Sequence, residues 1–279
     1  MYYWIIIIVF ILIFIVIIVI FIIVLYTFPG FFIDRNNSIN TGKNKSNLDI
    51  VSHYDFLDEQ EIKQTRDTIK KISKDNMIYR NSVMNTIGIP LYVEGSDNQK
   101  YQKNKDKYNQ ILSSNFDWLY PKLIDKLEYI TEEKCVYDDS LSLPGFHVFK
   151  AGSWLGSGWA VASLHVDKQY EYINSKNIDN HDLDQNDVFS FTIGIELPDK
   201  SGLYIYDCTE KDVTPGSWPF HTYFNDKKLY KVYYQLGELY IHDGLHYHMI
   251  SEFNSNKDRI TLQGHGIWNK KDKKYIIYW

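Results

Sequence analysis

Residues 228–250 read KLYKVYYQLGELYIHDGLHYHMI. Short runs of β-branched and aromatic side chains alternate with polar ones, and QLG and DG separate them. That texture is the mark of β-strands joined by tight turns. It extends in both directions. FHVFKA (146–151), AVASLHV (160–166), DVFSFTIGIEL (187–197), GLYIYD (202–207) and RITLQGHGIW (259–268) have the same character, with Gly, Pro, Asn and Asp clusters between them. About seven or eight such strands predict a sandwich or closed double sheet. No alternation of strand with helix occurs after residue 135, so βαβ units are excluded there.

Upstream the pattern changes to helical. Phe56, Leu57, Ile62, Thr65, Ile69 and Ile72 fall at helical spacing over about 55–75. Asp58 with Glu61 forms a capping box. A second helix is expected over 104–132, where Ile111, Leu112, Trp118, Leu119, Leu123, Leu127 and Ile130 mark an apolar face and Pro121 breaks or kinks it. The chain is thus read as mainly β with supporting α-helices: helical support over 48–134 and a β core over 135–279.

Ahead of this domain, residues 34–47 are polar and aperiodic and read as a linker. Ile5 to Leu25 carry no charged or polar side chain. About twenty apolar residues span a bilayer core, and Tyr2, Tyr3, Trp4 and Tyr26 flank the run as interfacial aromatics do. Residues 1–33 are therefore expected to be a single-pass membrane anchor with its flank. A cleaved signal fits less well, because a basic leader and a small-residue cleavage site are both missing. Arg35, Lys43 and Lys45 place the bulk of the chain in the cytoplasm. The acceptor patterns at Asn36 and Asn44 point outside, so the side stays open.

The 279 residues carry a net charge of −5 and no basic stripe, so no nucleic-acid partner is expected. Two cysteines, Cys135 and Cys208, make neither a disulfide framework nor a zinc ribbon, and leave one disulfide or two free thiols. The 23 tyrosines reflect an Ile-, Asn-, Lys- and Tyr-rich composition of the kind an AT-rich coding genome produces.

Polar chemistry concentrates at three places on the expected β core. In SLHVDKQYEY (163–172), His165 and Asp167 stand at i and i+2 and point the same way from a strand end. His242, His246, His248 and His265 cluster within 242–265. His246 and His248 share strand parity, so either supplies a third ligand. Two histidines and one carboxylate leave three coordination positions open and favour non-haem Fe(II); zinc would leave one. Arg259 opens the last core strand, eleven residues beyond His248, and Thr261 shares its parity. An arginine pointing into a core calls for an anion, and its planar fork suits a carboxylate. HYD at 53–55 repeats the first motif, but it falls at a linker–helix junction without strand partners and is given no metal role.

Taken in order, HVD, then FSFTIGIELPDKSGLYIYD, then GELYIHDGLHYHMISEFNSNKDRITLQGH resemble the Fe(II)- and 2-oxoglutarate-dependent dioxygenase superfamily over about 145–268. The helices before them resemble those of prolyl-hydroxylase-like members. The resemblance implies a double-stranded β-helix (jelly-roll) core, with His165, Asp167 and His248 as catalytic iron ligands and His246 as competitor for the third. Arg259 would hold the C5 carboxylate of 2-oxoglutarate, assisted by Thr261. Fe(II), 2-oxoglutarate as co-substrate and O2 are implied, with ascorbate as an additional reductant. The reaction implied is hydroxylation of a protein or small-molecule substrate with release of succinate and CO2. Trp154, Trp159 and Tyr170 would be substrate contacts by family practice, or else core or surface aromatics. Two departures stand out: His242 replaces the usual apolar residue before DG, and Arg259 replaces the lysine common in the prolyl-hydroxylase branch. A non-catalytic binding sandwich, and a cupin-like or zinc enzyme built on His242, His246 and His248, are the competing readings.

Overall fold

The computed structural model describes residues 50–79, 84–94, 98–152, 154–155, 164–174, 182–212, 227–251, 253–254 and 257–279. The anchor Ile5–Leu25, the linker 34–47, Asn36 and Asn44 lie outside them. Among the described residues no helix is long and apolar enough to cross a membrane.

The strands are β1 (Val51–Asp55), β2 (Ile78–Tyr79), β3 (Met84–Ile87), β4 (Cys135–Tyr137), β5 (Gly145–Phe149), β6 (Trp154–Leu155), β7 (Leu183–Glu196), β8 (Gly202–Thr209), β9 (Leu229–Tyr233), β10 (Glu238–Asp243), β11 (His246–Ile250), β12 (Phe253–Asn254), β13 (Arg259–Asn269) and β14 (Lys274–Tyr278). The helices are α1 (Glu59–Asn76), α2 (Leu91–Glu94), α3 (Asn98–Asn115), α4 (Leu119–Thr131) and α5 (Tyr170–Asn174). The described chain is mainly β with supporting helices, consistent with a jelly roll. A nine-stranded sheet runs β1-β10-β7-β13-β5-β3-β2, with β14 and β4 joined through β13. A three-stranded sheet runs β11-β8-β9, and β12 pairs β6.

Strand alternation gives the large sheet two unlike faces. Ile87, Phe146, Val148, Ile193, Leu239, Ile241, Ile260 and Leu262 belong to one apolar cluster with Ile62, Ile69 and Ile72 of α1 and Leu119, Leu123 and Leu127 of α4. Their in-between neighbours on the same strands are polar: His242, Ser190, Thr192, Gln263 and His147 line a cavity. The cavity's other wall includes Leu203 of β8 and His248 and Ile250 of β11. The helices thus cover the apolar face, and the small sheet closes over the polar one.

The capping box forms as the sequence predicts: Glu61 N–H donates to Asp58 Oδ1 and Asp58 N–H to Glu61 Oε2, both at 2.9 Å. The helix itself starts at Glu59, because residues 51–55 are extended. This corrects the reading of HYD as partnerless: β1 pairs with β10 from Val51↔His242 to Asp55↔Glu238. The expected helix 104–132 is two helices. The break falls at residues 116–118, and Pro121 is the third residue of α4, where its missing N–H removes no intrahelical bond. Three strands from residues 51–87 join the large sheet, and β14 adds an unforeseen partner to β13. Cys135 and Cys208 are both buried and do not form a disulfide with each other.

Candidate metal centre

The HVD segment is not a full strand. His165 forms one antiparallel bridge to His248: its N–H donates to the His248 carbonyl at 3.0 Å and its carbonyl accepts the His248 N–H at 2.8 Å. Asp167 N–H donates to the Gly244 carbonyl at 2.8 Å. The segment is therefore pinned to β11 and to the DG turn before it, and both side chains are carried to the cavity. Asp167 and His248 are buried, while the His165 side chain is 45% exposed and sits at the mouth.

One ligand atom from each of His165, Asp167 and His248 lies within 4.8 Å of the others. His165 Nε2 is 3.6 Å from Asp167 Oδ1, and His248 Nε2 is 3.2 Å from Asp167 Oδ2. The cluster fits a facial triad. Its members come from two strands' worth of chain eighty residues apart, and they converge on one point with three directions left to a ligand. His248 Nδ1 lies 2.8 Å from the His246 carbonyl and donates to it, so Nε2, which faces Asp167 Oδ2, is the nitrogen that would meet a metal. Burial pushes the Asp167 carboxyl up, but the imidazoles of His248 and His265 and hydrogen bonds from His165 and His248 outweigh it. The carboxyl is held well below its ordinary range and is ionised, as a ligand must be.

A bulge separates His246 from His248. The register of β11 against β8 shifts between these two residues, so equal parity does not give them the same surroundings. His246 Nδ1 turns to Asp243 Oδ2 at 3.1 Å, outside the triad. His242 is in the cavity wall with its ring 4.6 Å from that of His248, but its Nδ1 is engaged by the Asp243 carbonyl at 3.2 Å.

Arg259 is the other feature of the cavity. It is 1% exposed, and among the described residues Nε and Nη1 have no hydrogen-bond partner. The guanidinium lies over Phe149 and Phe253, 5.4 and 5.8 Å from their ring centroids. Burial lowers its pKa to about 10, so it stays cationic at neutral pH. Thr261 is fully buried and its Oγ1 is likewise unpartnered. A buried cation and hydroxyl without partners cost several kcal/mol unless an anion completes them. This donor set fits a carboxylate entering a cavity of about 450 Å³ that Arg259 shares with the triad.

Tyr170 is not at the mouth. It is 4% exposed and packs with Tyr101, Ile173 and Tyr278 in a core cluster. Trp159 lies outside the described residues, and Trp154 is described only through its backbone in β6. Sequence reasoning missed Ser190 and Gln169, both against Asp167: Ser190 Oγ donates to Oδ2 at 2.5 Å and Gln169 Nε2 to Oδ1 at 2.9 Å. The parity of FSFTIG, with Ser190 and Thr192 between apolar residues, was the available signal.

No family model matches the chain, and no curated protein matches it. Among solved structures it is similar to an N-substituted L-amino acid dioxygenase in complex with alpha-KG from Burkholderia ambifaria AMMD. The identity is 12% and the TM-score 0.49, over 82% of this chain and 86% of that one. It is also similar to the non-heme alpha ketoglutarate dependent epimerase SnoN from nogalamycin biosynthesis (11%, TM-score 0.45, 78% and 80%). A 2OG-Fe(II) oxygenase family oxidoreductase from Burkholderia pseudomallei is a third (10%, TM-score 0.44, 82% and 93%).

Proposed function

We propose that the chain is an Fe(II)- and 2-oxoglutarate-dependent oxygenase with a jelly-roll core. The observation that carries the reading is the pairing, in one cavity, of a His–Asp–His cluster with the buried guanidinium of Arg259, whose Nε and Nη1 meet no hydrogen-bond partner among the described residues. His165, Asp167 and His248 would hold the metal. Arg259 would grip the distal carboxylate of 2-oxoglutarate bidentately, with Thr261 adding a hydroxyl donor. When bound, Fe(II) and 2-oxoglutarate supply O2-dependent oxidation of a substrate C–H bond, with succinate and CO2 as co-products. The chain's own work is positional: backbone bonds fix the segments that carry the triad, and Arg259 and Thr261 are buried. The substrate reading is a protein side chain or a small molecule, with ascorbate sustaining the reduced metal. Anchorage through Ile5–Leu25 belongs to the same proposal and places the substrate near a bilayer.

Anaerobic loading with Fe(II) followed by O2-dependent succinate formation tests the activity. Succinate above background is expected even without the true substrate. Absence of Fe(II) binding overturns the proposal, and bound zinc indifferent to 2-oxoglutarate replaces it with a zinc enzyme. Arg259→Ala should raise the 2-oxoglutarate concentration needed by about 10- to 200-fold, which corresponds to roughly 1.5–3 kcal/mol for a charged hydrogen bond, while iron stays bound.

A further inference from the structure

Three strands of the large sheet place His242, Ser190 and His265 side by side. β10 pairs His242 with Ser190, and β13 pairs His265 with the same Ser190. All three line the cavity beside Asp167. The middle residue touches both an ionised carboxylate and an imidazole: Ser190 Oγ is 2.5 Å from Asp167 Oδ2 and 2.9 Å from His265 Nδ1.

Proton counting fixes the direction of this chain. A serine hydroxyl carries one proton, and an ionised carboxylate carries none. At 2.5 Å the hydroxyl must donate to Asp167, so its lone pairs are what His265 meets. His265 Nδ1 therefore bears a proton and donates to Ser190. The relay runs His265 Nδ1–H to Ser190 Oγ–H to Asp167 Oδ2. On the other oxygen, the Gln169 amide donates to Oδ1 at 2.9 Å. Each carboxylate oxygen thus has one side-chain donor, and the two together set the plane of the carboxyl. Rotation of the carboxyl about Cβ–Cγ would break a hydrogen bond at both ends.

The space for this arrangement is also specific. A Cβ on Gly244 would lie 3.1 Å from Ser190 Oγ and 3.4 Å from Asp167 Cβ. The small residue of the DG turn keeps the relay uncrowded, while its carbonyl holds Asp167 N–H.

The geometry points to Ser190 as a positioning residue that fixes the orientation of the Asp167 carboxyl toward a metal, with His265 acting through Ser190. This rests on the reading of His165, Asp167 and His248 as the metal ligands. Outer-shell partners of this kind are worth about 10–100-fold in metal affinity. A serine present only for packing would leave affinity and ligand geometry unchanged when shortened to alanine.

The test uses Co(II) as the probe, titrated anaerobically into the wild type and into Ser190→Ala, His265→Phe and the double variant. Visible absorption reports coordination, and thermal melts of the metal-free proteins check folding. Ser190→Ala is expected to weaken Co(II) binding by about 10- to 100-fold and to change the visible band pattern, because a carboxyl held at one end only can reorient toward the metal. His265→Phe should weaken binding less, and the double variant no more than Ser190→Ala alone, since partners acting in series are not additive. Gly244→Ala, which keeps every relay residue, should reproduce part of the Ser190→Ala effect. Wild-type affinity and spectrum in a folded Ser190→Ala protein, or losses that simply add, would overturn the relay and leave the triad standing. A wild type that takes up no Co(II) would overturn both.

Discussion

His242 is held neutral by its surroundings. Burial first, and then the adjacent His248, push its pKa down to about 3, while Asp167 and the Asp243 carbonyl pull weakly the other way. In the unfolded chain a histidine titrates near 6.5. Above that pH neither state binds the proton and His242 adds no pH dependence. As the pH falls from about 6.5 toward 3, only the unfolded state gains the proton, so stability is lost, on the order of 1 kcal/mol per unit crossed. Urea denaturation of the metal-free protein at pH 7, 5.5 and 4.5 should show this decline, and His242→Phe should flatten it. The bulge in β11 sets a second contrast. His248→Ala should abolish tight Co(II) or Fe(II) binding measured calorimetrically, whereas His246→Ala should leave it within a few fold. The sequence supplied the choice between these two histidines only through the spacing to Arg259. The bulge that separates them depends on β8, whose pairing no local pattern of HYHMI reveals.

Elements were legible where their own residues carry the signal. The capping box of α1 is local, and it forms to the residue; Asp58→Ala should cost about 1 kcal/mol in urea denaturation, with no effect on metal affinity. The strands β5, β7, β8, β10, β11 and β13 announce themselves by alternation. β1 did not, because VSHYD is polar and is held by a neighbour: its backbone bonds go to β10, and His53 Nδ1 sits 3.0 Å from Glu238 Oε2. The helix break before α4 escaped for a different reason. Pro121 drew attention to itself, yet a proline in a first turn is harmless, and the chain turns at Phe116–Trp118 instead. Phe116 is fully buried against Phe146, with ring centroids 4.9 Å apart, so tertiary packing sets the corner.

At the level of the molecule, the two faces of one sheet divide the labour. The helix-backed face supplies the apolar burial, and the cavity face carries His147, Thr192, Gln263 and the buried cation Arg259. The candidate ligands His165, Asp167 and His248 stood out in the sequence by their order along the chain and their resemblance to a known motif. The outer row of Ser190 and His265 was not, because it exists only across strands that register brings together. A metal and an anion that bind the folded state alone must stabilise it by mass action. Co(II) at about 100 times its Kd should add roughly 2.7 kcal/mol, and 2-oxoglutarate should raise the melting temperature further only when metal is present and Arg259 intact.

The strand that presents Arg259 also closes the large sheet. β13 pairs along its length with β7, with β5 through residues 259–263, and with β14 through residues 265–269. During synthesis, β5 and β7 emerge more than sixty residues before their common partner. Until it arrives, each shows an unpaired, β-branched edge of the kind that recruits other chains. A nascent chain halted before residue 259 therefore lacks the anion site and carries two sticky edges at once. Premature truncation in this region should send the product to aggregates or to chaperones, not to a soluble protein, so the next-to-last strand to be made decides both solubility and the presence of Arg259.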